Sequence, residues 1–135
     1  MIASLTPEQL RKREKPEKWC ALQVLQHLTD TETVYAYRLR MTVAHDRPPL
    51  AGYDEKLWSE QLHYVKDDAA TVLAELRVLR QRNLRFYRSL NEEELSRWGE
   101  HAERGRERVS DIIKLLAAHD LVHRRQLDRI VASLG

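Results

Sequence analysis

The chain's 135 residues are enough for one domain with a hydrophobic core and too few for two domains of ordinary size. Hydrophobic residues make up 42% and charged residues 33%, as in a globular protein, while four Gly and four Pro are too few for a turn-rich β-sandwich. The 23 basic and 21 acidic residues leave a net charge of +2, too little general attraction for a polyanion, so no nucleic-acid partner is expected.

Thr6-Pro7-Glu8-Gln9 places a Thr N-cap ahead of a Pro at the first helical position, with Gln three residues after the cap, so a short helix starts here. Pro16 limits it to about two turns. From Ala21 to about Ala44, Leu22, Val24, Leu25, Leu28, Val34, Tyr35, Leu39 and Met41 recur at helical spacing, predicting a first long helix. Asp46-Arg47-Pro48-Pro49 ends it. The connection that follows, to about residue 67, holds a short helix around Glu55 to His63. A second long helix starts at Asp67-Asp68 and carries an apolar stripe through Val72, Leu73, Leu76, Leu79, Phe86, Tyr87 and Leu90. Asn91 to Glu107 is polar, contains Gly99 and Gly105, and reads as a loop with one turn at Asn91 to Leu95. A last long helix begins at Ser110 or slightly earlier and runs to the chain terminus.

The pattern is all-α in a single domain spanning 1–135. The middle connection exceeds 20 residues, more than an antiparallel helix pair needs. A helix of 24 residues spans ~36 Å, so this connection suits a crossover that leaves the first two long helices parallel. No stretch reaches the ~18 consecutive apolar residues of a membrane span. Cys20 stands alone, which excludes an internal disulfide, and no signal-peptide pattern follows Met1; cytoplasm is the expected compartment. Arginine is dense at Arg77, Arg80, Arg82, Arg85 and Arg88 and again at Arg104, Arg106 and Arg108. Without interleaved aromatics this reads as a solvated face rather than a phosphate-binding one.

His119 and His123 stand four residues apart on the last helix, with Cβ atoms about 6 Å apart, so two imidazoles can converge on one ion. The helical period puts both on or beside the apolar face, where an unpaired imidazole is costly to bury. His27, among Val24, Leu28 and Thr31, occupies the corresponding face of the first long helix. Three His with an open fourth position is the arrangement of catalytic zinc sites, and three histidines hydrogen-bonded in a polar core is the alternative. Arg38 and Gln126 continue these faces, and Asn83 lies on the core stripe of the second long helix, so all three are candidates to line a cavity beside the histidines. His45, His63 and His101 lie in or beside connections and are expected at the surface. His119-Asp120-Leu121-Val122-His123 has the outline of His-Glu-x-x-His, but Asp120 is one methylene too short for the base of that motif.

Trp19 to Glu32, WCALQVLQHLTDTE, and His119 to Ile130, HDLVHRRQLDRI, resemble the opening and closing signatures of the DinB-like family of helical-bundle metalloenzymes. Glu103-Arg104-Gly105 and Arg77-Val78-Leu79-Arg80 also fit, so the resemblance covers roughly residues 17 to 132. It implies a four-helix bundle with a long crossover and a divalent-metal site, Zn²⁺ or Ni²⁺, at His27, His119 and His123. That family usually has a full helix ahead of the segment matching Leu5-Thr6-Pro7-Glu8; here the first helix is shortened or missing. The apolar flank left bare implies a homodimer. Cys20 replaces a Ser cap and is expected to be a small buried residue rather than a ligand. The resemblance further implies a metal-dependent enzyme acting on a small molecule, a thiol transferase in which the ion activates a thiolate that attacks an electrophile. Metal-dependent hydrolysis, or metal binding without catalysis in a stress-response protein, are the alternatives.

Overall fold

The computed structural model describes residues 2–134. After a 3-10 turn at Ile2–Ser4 come α1 (Pro7–Arg11), α2 (Ala21–Ala44), β1 (Pro49–Leu50), α3 (Glu55–Gln61), a 3-10 turn at Tyr64–Lys66, α4 (Ala69–Ser89), α5 (Glu92–Ser96), β2 (Trp98–His101), β3 (Gly105–Arg108) and α6 (Val109–Ala132). The capping chemistry accounts for the boundaries. Thr6 and Gln9 bond reciprocally at the start of α1, with Pro7 at its first position. At α2 the Gln23 side chain accepts from the Cys20 backbone N–H and donates to Ser59 Oγ, tying α3 to α2. Asp54, Asp68 and Asn91 each accept from a backbone N–H in the first turn of α3, α4 and α5. Cys20 is fully buried.

The order of side-chain partners along the helices gives the topology. Gln26 meets Asp67 just ahead of α4, Glu32 meets Arg80 and Asn83, and Leu39 clusters with Phe86 and Tyr87, so α2 and α4 run parallel across the long connection. Along α6 the order reverses: Leu39 clusters with Val109 and Ile112, His27 meets His119 and His123, and Leu25 clusters with Leu127 and Ile130. Helix α2 is therefore central, and its buried face carries Gln23, Gln26, His27, Thr29, Thr31, Glu32, Arg38 and Thr42 as well as apolar residues. These polar residues divide the core into two apolar clusters, one around Leu22, Val24, Leu25 and Ile130 and one around Tyr35, Leu39, Leu50 and Ile112. Among the described residues no helix is long and apolar enough to cross a membrane.

The helices dominate, as expected, but residues 98–108 form a hairpin where the sequence reads as a loop. Strands β2 and β3 pair antiparallel from Trp98↔Arg108 to His101↔Gly105, and β1 joins parallel through Pro49↔Glu100 and Leu50↔His101. The strands are too short and polar to show an apolar alternation. Two glycines permit the arrangement: Gly105 turns the hairpin at φ +75°, and a Cβ on Gly99 would stand 2.8 Å from Leu50 Cδ1. This small sheet brings Ala51, Gly52, Tyr53 and His101 against the middle of α2.

Candidate metal centre

His27 lies on α2, and His119 and His123 lie one turn apart on α6. His27 is 1% exposed, with the Trp19 ring 5.3 Å from its own. Its Nε2 lies 3.0 Å from His119 Nε2, which lies 3.1 Å from His123 Nε2, and the three ligand atoms fall within 4.8 Å of one another. An ion with metal–nitrogen bonds of about 2.0–2.1 Å separates tetrahedral ligands by ~3.3 Å, so the nitrogens need little adjustment to share one.

The tautomers favour the same arrangement. His123 Nδ1 lies 2.8 Å from Gln126 Oε1, which can only accept, so the proton sits on Nδ1 and the Nε2 lone pair faces the other two rings. Nδ1 of His27 and of His119 is buried without a protein partner. Burial, reinforced by His123 and His119, lowers the His27 pKa to about 3. Burial and His123 also lower that of His119, against the opposing pull of Asp120. Three neutral imidazoles with converging lone pairs repel one another unless a cation or shared protons lie between them; the donor set fits a divalent transition-metal ion.

The His27 shift sets a pH dependence. With a folded-state pKa of about 3 against 6.5 unfolded, the unfolded chain takes up a proton below pH 6.5 that the folded chain refuses until about pH 3. This contribution is therefore fully present above pH 6.5 and is lost as pH falls toward 3. For chelator-treated protein, urea midpoints at pH 7 and pH 5 are expected to differ, and His27→Asn to narrow the difference; equal differences in the two proteins would contradict the assignment.

Beside His119 opens a cavity of about 70 Å³ lined by Thr31, Arg38, Tyr53, Glu55, His101 and other residues. Glu55, the first residue of α3, holds a carboxylate oxygen 4.0 Å from His27 Nε2 while its side chain stays half exposed. Arg38 lines this cavity. Gln126 stands behind His123 rather than in the cavity. Asn83 is fully buried in the α2–α4 seam, where it bonds the Glu32 carboxylate and carbonyl and accepts from Arg40. His101 is a correction. It is 2% exposed because the unforeseen sheet carries it inward, whereas His45 and His63 are exposed as expected. Asp120 pairs with Arg80, which also holds Glu32, so it is engaged away from the three histidines. Glu55 had no distinguishing sequence signal: an acidic residue in the first turn of a short helix is ordinary helix chemistry.

A family profile described as the DinB superfamily matches residues 1–127. A protein of Oceanobacillus iheyensis named "Putative metal-dependent hydrolase" is 27% identical over 90% of this chain and 70% of its own length. YfiT of Bacillus subtilis, bearing the same description, is 28% identical over 71% of this chain; that stretch is 54% of YfiT, little more than half. The solved structure of YfiT, described as having an unusual four-helix bundle topology, superposes with a TM-score of 0.92 over 99% of this chain and 77% of that one at 24% identity. The likeness extends the fold assignment to the whole described chain, the short α1 included.

Proposed function

The chain belongs to the DinB superfamily, and we propose that it is a metal-dependent enzyme acting on a small molecule by hydrolysis, with His27, His119 and His123 holding one Zn²⁺ or Ni²⁺. The observation that carries this reading is a carboxylate beside the three converging imidazoles: Glu55 Oε2 lies 4.0 Å from His27 Nε2. When bound, a divalent ion at three neutral ligands keeps its full charge, polarises a substrate oxygen and lowers the pKa of water. Glu55 is placed to take the proton that such activation releases, and its exposure gives that proton a path to solvent. The names of the two relatives support hydrolysis in the same sense.

The test is elemental analysis of protein purified without an affinity tag, followed by turnover of a panel of small esters and amides in metal-replete protein. Glu55→Gln is expected to keep the metal and to lower kcat about 100-fold. Unchanged turnover in Glu55→Gln would overturn the role of Glu55, and a chain that takes up no metal would overturn the whole reading.

Thiol transfer is the second reading. It is favoured by a groove of about 300 Å³ that shares Arg38, Gly52 and Tyr53 with the polar cavity and continues past Tyr37 and Trp58, leaving room for a second substrate. A thiolate needs no base once the ion has lowered its pKa, so thiol consumption that survives Glu55→Gln but not His119→Ala selects this reading. The buried free thiol of Cys20 suits the reducing cytoplasm proposed for it. A homodimer is also part of the proposal. Val78 on α4 and Leu115, Leu121 and Val122 on α6 are exposed, and Leu73, Leu76 and Leu127 line a groove between these helices. Sedimentation at micromolar concentration is expected to give about twice 16.0 kDa, and a species of 16.0 kDa would refute the dimer.

A further inference from the structure

Two buried groups in the polar cavity keep binding capacity that the protein does not take up: the Arg38 guanidinium has no carboxylate partner among the described residues, and the His101 ring has a nitrogen with no partner. The Arg38 side chain is 3% exposed; it donates from Nη2 to the Ala51 carbonyl, and its guanidinium lies 4.9 Å from the Tyr35 ring centre and 5.9 Å from that of Tyr53. Among the described residues no carboxylate pairs with it, whereas Arg80, Arg97, Arg104 and Arg129 each have one. A buried guanidinium without an anion is costly, and two aromatic faces offset only part of that cost.

His101 presents the second donor. Its Nδ1 accepts from the backbone N–H groups of Glu103 at 3.1 Å and Arg104 at 3.2 Å, so the proton of the neutral ring sits on Nε2. That Nε2 is buried without a partner. His101, Arg38 and His119 line the same cavity. Glu55 and Glu103 line it too, but both are exposed, so solvent screens them where it does not screen Arg38.

We propose that this cavity binds the carboxylate of a small carboxylic acid substrate, with the Arg38 guanidinium and the His101 Nε2–H as its donors, beside the three histidines. The inference deepens the function proposed above and rests on it for the cavity being where substrate enters. A planar guanidinium fork matches the two coplanar oxygens of a carboxylate, and a volume of about 70 Å³ has room for a carboxylate with one or two carbons.

The test titrates acetate, acetamide and inorganic phosphate into the protein as purified and again after chelation, following the ¹⁵N shifts of the His101 and Arg38 side chains. Acetate is expected to move both signals in both states, which separates this pocket from direct binding at an ion, and acetamide to bind at least about tenfold more weakly. Arg38→Met should raise the acetate Kd about tenfold or more, with Arg38→Lys intermediate; Lys retains the charge and loses the fork, and it serves alone should the Met variant fail to fold. His101→Asn keeps an acceptor for the hairpin backbone, removes the Nε2 donor and should weaken acetate several-fold. An acetate response confined to the ion-loaded protein, equal binding of acetamide, tighter binding of phosphate, or an unchanged Kd in the Arg38 variants would each overturn the proposal. Binding is read without turnover, so a chain inactive on every ester can still pass or fail this test.

Discussion

Replacing His119 by Ala is expected to weaken Zn²⁺ binding about a hundredfold to a thousandfold and, with it, to abolish any metal-dependent turnover. The His119 Nε2 lies 3.0 Å from that of His27 and 3.1 Å from that of His123, so its removal leaves only two of the three donors, one from each helix. Structural zinc sites bind with about 10–16 kcal/mol over four ligands, or roughly 2.5–4 kcal/mol for each, which is about a hundredfold to a thousandfold in Kd. A competition titration against a chromophoric chelator measures this directly. Gln126→Ala should cost only about 10–100-fold, since it frees the His123 ring without removing a donor. Equal affinity in wild type and His119→Ala would refute the site.

The second large effect is on stability. Glu32, buried on α2, pairs with Arg80 and accepts from the Asn83 amide; Arg80 continues to Asp120, and Asn83 Oδ1 accepts from Arg40. Glu32→Ala leaves the half-buried Arg80 guanidinium with Asp120 as its remaining carboxylate, and the fully buried Asn83 amide with the residue 32 carbonyl as its remaining acceptor. Leaving a fully buried charge unpaired costs about 3–5 kcal/mol. With Arg80 partly exposed and still held by Asp120, the loss is expected at about 2–3 kcal/mol, still a large share of the roughly 5–15 kcal/mol that holds such a domain folded. Glu32→Gln, which keeps an acceptor for Asn83 but gives up the charge, should cost less. Equilibrium urea unfolding of the chelated protein reads both, and a loss below about 1 kcal/mol for Glu32→Ala would mean that the network adds nothing net to the fold.

How much of this was legible in the sequence varied with the range of the interactions involved. The bounds of α2, Ala21–Ala44, are those its apolar spacing predicts, and the caps at Thr6 and Asp68 lie where their side chains require. These are local rules acting within a few residues. The pairing of His119 with His123 is also local, and His27 could be added because its face was fixed by its neighbours. Asn83 shows where the method stops: a core stripe says that a residue points inward but not which part of the facing helix it meets, and here it meets Glu32 rather than the histidines. Glu55 and His101 sit in connections whose positions depend on how the crossover and the hairpin pack against α2. No periodicity in segments of two to seven residues encodes that.

The parallel course of α2 and α4 has a consequence for how the chain is held. An ion held between His27 and His119 joins positions 92 residues apart and so acts as a reversible cross-link across most of the sequence. The loop it closes contains α3, all of α4 and the whole sheet, although α4 supplies none of the three histidines. By the chain-entropy argument, closing a loop of that size restricts the unfolded ensemble far more than any cap or turn contact. With an ion bound, helix α4 would be confined by topology while its own side chains keep it in register, and the two constraints would be released separately: one with a chelator, the other at Glu32.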